Sequence, residues 1–267
     1  MPSFFTSVTP TYESEASAYF TTAGINATDS RQNISRFVTG LKNLGLWNSV
    51  VCWPLRSTQN AGTGTTAFSL GGLSSGLAYN GAISTTPTWG YDGVSFSGSA
   101  TILNNSVATA VRSANAYSTI LVCSNATTGT VNFGVLKGGG ANQTGDNYTA
   151  FSRQFNFLAQ AQVYLTGGSG DRGFGSLSFN TSGFQFFGSA RSGLTAPSTN
   201  TGSVTLNGST NSALSGSGNL PSTNPFSDGF YIVGSSVAGN TYAFALVATA
   251  SLSSTNMQNI RNLYKST

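Results

Sequence analysis

Between Thr201 and Tyr264 the hydrophobic pattern changes period, and that change restricts what the chain can become. Thr201-Gly-Ser-Val-Thr-Leu-Asn-Gly208 reads as a short alternating strand running into Asn207-Gly208. Both residues of that dipeptide tolerate the positive φ of a type I′ turn, which makes it the strongest short-range hairpin signal. Gly229-Phe-Tyr-Ile-Val-Gly234 and Thr241-Tyr-Ala-Phe-Ala-Leu-Val-Ala-Thr249 follow, rich in β-branched and aromatic residues and bounded by turn formers, as strands are. From there the apolar positions are Leu252, Met257, Ile260, Leu263 and Tyr264, spaced as on one face of a helix. Ser253 and Ser254 are candidate N-caps, and Lys265 sits where the helix dipole favours a cation. The order is strand, Asn-Gly turn, two strands and a short closing helix.

At the other end, Glu13 and Glu15 open a helix over 14–22 that Gly24 ends. Ile34, Phe37, Val38, Leu41 and Leu44 fall at helical spacing and predict a second helix over 28–44, stopped by Gly45. Residues 1–11 read as extended, because Pro2 and Pro10 disfavour helix before them. An apolar strand then runs from Leu46 to Pro54 and contains Trp47 and Trp53, both expected in the core. The middle alternates short strands, Thr88–Phe96 among them, with turn signals such as Gly138-Gly-Gly140 and Gly167-Gly-Ser-Gly-Asp-Arg-Gly173, the interval of a sandwich. Two units are expected: an extended arm and helical module over 1–48, and a β-sandwich with its closing helix over 49–267.

Composition removes several classes of function. Lysine and arginine exceed aspartate and glutamate by 11 − 7 = 4, with no basic cluster, so no nucleic-acid partner is expected. No apolar run approaches the ~18 residues of a membrane span, and residues 1–7 lack the basic and apolar regions of a secretory leader. Cys52 and Cys123 both lie in apolar runs, where a buried thiol is the expectation and a disulfide the alternative. Only 7% of residues are charged, a surface of hydroxyls and amides that suits a protein packed among neighbours or a secreted binding module.

Three further segments carry a resemblance. Ala18-Tyr-Phe-Thr-Thr-Ala-Gly-Ile25, Phe37-Val-Thr-Gly-Leu-Lys-Asn-Leu-Gly-Leu-Trp47 and the strand to Pro54 look like the module that precedes the sandwich in many phage-encoded proteins. Val204–Gly208, Phe230–Gly234 and Leu252-Ser253 through Ile260 to Leu263-Tyr264 resemble the C-terminal part of concanavalin A-like and laminin G-like jelly rolls in phage and environmental-virus structural proteins. The resemblance implies a mainly β chain: a concanavalin A-like antiparallel β-sandwich (jelly roll) with an N-terminal two-helix module and a short C-terminal helix. It also implies a virion structural protein on the particle surface, made in the host cytoplasm, with other virion proteins and copies of itself as partners. A head-surface decoration or cement component is favoured over a tail fibre, since the chain carries no repetitive shaft. Residues 1–11 with the first helix are the expected attachment arm.

The chemistry expected of the chain is narrow. No histidine is present, which removes histidine-based nucleophilic, proton-transfer and zinc sites. Glycoside hydrolysis calls for two facing carboxylates. The only glutamates, Glu13 and Glu15, belong to the first helix, and Asp29, Asp92, Asp146, Asp171 and Asp228 sit in turn-like surroundings. The expectations are therefore a chain that is not an enzyme, with no cofactor and no metal site. Trp89, Tyr91, Tyr148, Asp171 and Arg172 are the candidate glycan-binding residues of the alternative, lectin-like reading, with burial in the core or at an interface as the competing role for Trp89 and Tyr91. A third reading, a glycosidase, rests on Glu13 and Glu15.

Overall fold

The computed structural model describes residues 10–73, 79–98, 100–114, 116–124, 135–136, 154–157, 160–165, 173–178, 183–192, 200–216, 230–233 and 240–266. Helix α1 spans Ser14–Ala23 and helix α2 spans Thr28–Asn43. Helix α3 spans Asn105–Ala114, and helix α4, Ser254–Lys265, closes the chain. Among the described residues the strands form antiparallel sheets of nine, five and three strands. Together they make a β-sandwich with a few helices and no closed barrel.

The large sheet is built around three strands. Thr241–Ala248 lies between Ala116–Ser124 and Val50–Pro54. Phe184–Ser192 extends the sheet from Ala116–Ser124, and the hairpin of Asn200–Leu206 with Ser209–Gly216 completes that side. Asn207 and Gly208 join the hairpin with φ of 50° and 98°, the conformation the dipeptide was expected to adopt. The Asn207 side chain also serves the neighbouring strand, its Oδ1 accepting from the Phe186 N–H at 2.9 Å.

Neither face of the three central strands is polar. Val51, Trp53, Tyr117, Leu121, Cys123, Tyr242, Ala245 and Val247 point into one apolar cluster, shared with Ile83 and Ile102 of the five-stranded sheet and Val107 and Val111 of α3. Val50, Cys52, Ile120, Val122, Phe244 and Leu246 point into a second, shared with α1, α2 and α4. Residues from both sides of the 48/49 division thus contribute to one packed layer. A strand buried on both faces reads as a continuous apolar run, as Val50–Pro54 and Thr241–Ala248 do, while Ala116–Ser124 carries the buried Ser118 and Thr119 within its run. The arrangement also places the two thiols on opposite faces of the sheet, both buried and neither in a disulfide. Burial raises the Cys52 thiol far above its usual range and pushes Cys123 up to about 12.

The helical layer follows from spacing. Ala16, Tyr19, Phe20 and Ala23 of α1, and Ile34, Phe37, Val38 and Leu41 of α2, recur at i, i+3, i+4 and i+7 and are buried. Gly24 ends α1 in the left-handed region, its N–H and that of Ile25 both bonded to the Phe20 carbonyl. Lys42 of α2 binds two carboxylates, Glu13 Oε2 at 2.7 Å and Glu15 Oε2 at 2.8 Å, clamping the start of α1 to the end of α2. That shared ammonium lowers both carboxyls, Glu15 to about 2. In α4 the Ser253 hydroxyl caps the helix by accepting from the Asn256 N–H at 3.1 Å. Ser118 of the central strand fixes its approach, donating to the Ala250 carbonyl and accepting from the Leu252 N–H, both at 2.8 Å.

Two features depart from the sequence reading. The 88–96 stretch, expected as one strand, is a tight hairpin of Thr88–Trp89 with Val94–Ser95. Helix α3 was not expected; the Asn104 side chain starts it by accepting from the Val107 N–H at 3.0 Å. Helices α2 and α4 meet where Gly40 faces Leu263, and a Cβ on Gly40 would overlap the leucine methyls. Gly40→Val should therefore cost about 1–3 kcal/mol in denaturant unfolding through overpacking, and Gly40→Val with Leu263→Ala should recover part of it. A midpoint unchanged by Gly40→Val would contradict this contact.

Candidate functional site

One edge of the Thr241–Ala248 strand is shared by two partners in succession. Val94–Ser95 pairs with Thr241–Tyr242, and Val50–Pro54 pairs with Phe244–Ala248. At the break the register with Ala116–Ser124 slips between Tyr242 and Phe244, a bulge at Ala243. Bulges redirect a strand locally and recur beside binding sites. Here the Ala243 carbonyl accepts from the Leu55 N–H at 2.9 Å, and the chain then leaves the sheet at Arg56. The Ser57 N–H donates to the Gly90 carbonyl at 2.9 Å and so joins the departing loop to the 90–93 turn. Gly93, at φ +148°, lies against the Tyr242 carbonyl, where a Cβ would collide with backbone.

The loop from Arg56 to Gly64 is fixed from within by Asn60, a buried amide. Its Nδ2 lies 2.6 Å from the Pro54 carbonyl, 3.1 Å from the Phe68 carbonyl and 3.2 Å from the Tyr19 hydroxyl. Its Oδ1 accepts from the N–H groups of Ala61 at 2.9 Å and Phe68 at 3.1 Å. At the loop's far end the Gly64 carbonyl accepts from Trp89 Nε1 at 3.0 Å. The hairpin is therefore held at both ends, by Gly64 on the indole and by Ser57 on the turn.

On this support the side chains divide. Trp89 is half-buried and packs against the sandwich core. Tyr91, two residues on, is 76% exposed, and Asp92 is exposed beside it. Arg56, half-buried, donates from Nη2 to the Tyr264 hydroxyl at 2.8 Å and lies over the Tyr264 ring, 5.0 Å from its centroid. Burial raises the Tyr264 phenol; Arg56 opposes the rise and the Asp92 carboxylate adds to it, so both charges act on the same hydroxyl. The surface so formed carries an aromatic face, a carboxylate acceptor and a guanidinium donor. Tyr264 also lines, with Ile34, Phe37 and Pro54, a cavity of about 10 Å³, room for about one water.

Of the residues singled out from sequence, the structure brings Trp89 and Tyr91 to this turn; Tyr148, Asp171 and Arg172, like Asp146 and Asp228, lie outside the described residues. Arg56 is not among the residues that the sequence singles out, and Asp92 enters there as a turn residue. The available signal for Arg56 was Pro54, which ends the strand and sends the next residues out of the sheet. Glu13 and Glu15 are engaged on Lys42 in the helical clamp. Among the described residues no group of three or more carboxylates or thiols converges as metal ligands do.

No family model matches the sequence, and no curated protein does. Solved structures match its fold. A mutant of Trypanosoma rangeli sialidase displaying trans-sialidase activity superposes with a TM-score of 0.55 at 10% identity, over 88% of this chain and 40% of that one. Trypanosoma rangeli sialidase in complex with 2,3-difluorosialic acid gives 0.51 at 14% identity, over 86% and 38%. The chain thus spans about two fifths of the length of the sialidases it matches. The likeness establishes the fold, and it corrects the expectation that the chain is not an enzyme. That expectation rested on missing histidine and a missing glutamate pair in the sandwich. Sialidases dispense with the usual carboxylate pair by using a tyrosine nucleophile, and this chain has ten tyrosines, so those absences are no ground for excluding hydrolysis.

The site's dependence on Asn60 is testable. Asn60→Ala would leave the Pro54 and Phe68 carbonyls and the Phe68 N–H without this partner, at a cost of about 3 kcal/mol. Denaturant unfolding should show that loss; a loss below about 1 kcal/mol would mean the loop is held by other contacts.

Proposed function

We propose that this chain is a carbohydrate-binding β-sandwich on the surface of a virus particle, with the Arg56–Tyr91–Asp92 surface as its glycan contact. The observation that carries the sugar reading is Tyr91, a large ring 76% exposed on a turn whose backbone is fixed on both sides. A single exposed apolar residue is ordinary on protein surfaces. Tyr91 differs by its company, an exposed carboxylate one residue away that joins no ion pair among the described residues, and a guanidinium across the Ser57–Gly90 hydrogen bond. Apolar surface ringed by a few oriented polar groups is the chemistry that recognises small polar ligands. Sialidases crystallised with sugar derivatives share the fold, an analogy that points the same way without carrying the assignment.

The particle assignment rests on the resemblance of the 18–54 and 204–264 segments to phage and environmental-virus structural proteins. A head-surface component remains favoured within that class, with the glycan contact facing outward. Imaging particles from the source should show the sandwich in regular array on the shell; particles lacking it would remove this half of the proposal.

The glycan contact is tested by titrating wild type and Tyr91→Ala against the strongest ligand found on a glycan array. Loss of one stacking ring should weaken binding about tenfold, with the unfolding midpoint unchanged because the side chain is exposed. Equal binding by both proteins, or no glycan bound by wild type, would overturn the reading.

A further inference from the structure

We propose that the surface selects neutral hexoses over acidic sugars, with Asp92 as the selecting group; this rests on the carbohydrate reading above. The ion pairs among the described residues are those of Lys42 with Glu13 and Glu15, so Asp92 takes part in none, and it is exposed directly after Tyr91 in the chain. An ionised carboxylate is an acceptor only. The hydroxyls of a neutral pyranose supply the protons it needs while the sugar's C–H face lies on the tyrosine. A sugar carboxylate in the same place supplies none and adds a second negative charge.

Among the described residues Arg56 is the cation at the junction that could reverse this preference, and its engagement with Tyr264 argues against that role. Its guanidinium is half-buried, bonded through Nη2 to the Tyr264 hydroxyl and held over the Tyr264 ring. The remaining N–H groups can donate to a sugar hydroxyl or ring oxygen, but the charge is already placed against the Tyr264 ring. Asp92 follows Tyr91 directly in the chain and is more exposed than Arg56. For groups this exposed the unfavourable interaction is modest, about fivefold in affinity, and is screened by salt.

The test uses the full chain and two probes, a hexose-terminated oligosaccharide and the same oligosaccharide capped with sialic acid, titrated at low and at high salt. Wild type should bind the neutral probe at least about fivefold more tightly, with the ratio falling at high salt. Asp92→Asn keeps a turn-forming residue and removes the charge. It should weaken the neutral probe and bring the two affinities together. Equal or tighter binding of the capped probe by wild type, or a ratio unmoved in Asp92→Asn, would overturn the inference while leaving the carbohydrate reading intact. Failure of wild type to bind either probe would remove both.

Discussion

The structure depends on the burial of both faces of the strands Val50–Pro54, Ala116–Ser124 and Thr241–Ala248. Alternate residues of each enter different apolar clusters, so neither face can be left to water. At roughly 25 cal/mol per Å² of apolar area, exposing either face would cost more than a domain's whole net stability. One cover is the five-stranded sheet with α3, which completes the sandwich. The other is the layer of α1, α2 and α4, drawn from the two ends of the chain. The contact of Gly40 with Leu263 and the fastening of α4 by Ser118 are how those distant segments are brought to one surface.

The candidate site is a consequence of the same sheet. A central strand with an unbroken partner on each side leaves no room for a binding surface at its middle. Here the edge changes partner at Ala243, and the bulge lets two chain segments leave together, the 56–64 loop and the 90–93 turn. Asn60 then supplies the backbone partners that the loop loses on leaving the sheet. Rigid backbone with exposed side chains lowers the ordering cost of binding, which suits recognition of a weakly held polar ligand.

Much of the fold was legible because the periodicities were strong. The Asn207-Gly208 turn, the two N-terminal helices and the helix capped by Ser253 all appear where residue pattern placed them. Helix α3 was hidden because its apolar stripe is short, Val107 and Val111 being the buried residues among those described, amid Asn, Ser, Thr, Ala and Arg, and its cap, Asn104, is also the last residue of a strand. The apolar runs around Cys52 and Cys123 were visible, but not that both faces of the sheet are buried, nor what would cover each side. At the site, Trp89 and Tyr91 were legible as aromatics in a turn-rich stretch, while their division into an inward indole and an outward phenol was not. Arg56 joins them only through the partner change at Ala243, a long-range feature that no local pattern carries.

The central claim, that the break at Ala243 makes the surface which binds sugar, is tested most directly by locating a ligand on the protein in solution. Backbone amide shifts would be followed by NMR while a hexose-terminated oligosaccharide is added to the full chain. The account predicts that the perturbed amides cluster at Arg56, Ser57 and Trp89 to Gly93, with the helical layer around Lys42 unmoved. Perturbations confined to another part of the sandwich would contradict it, as would a spectrum unchanged at saturating sugar.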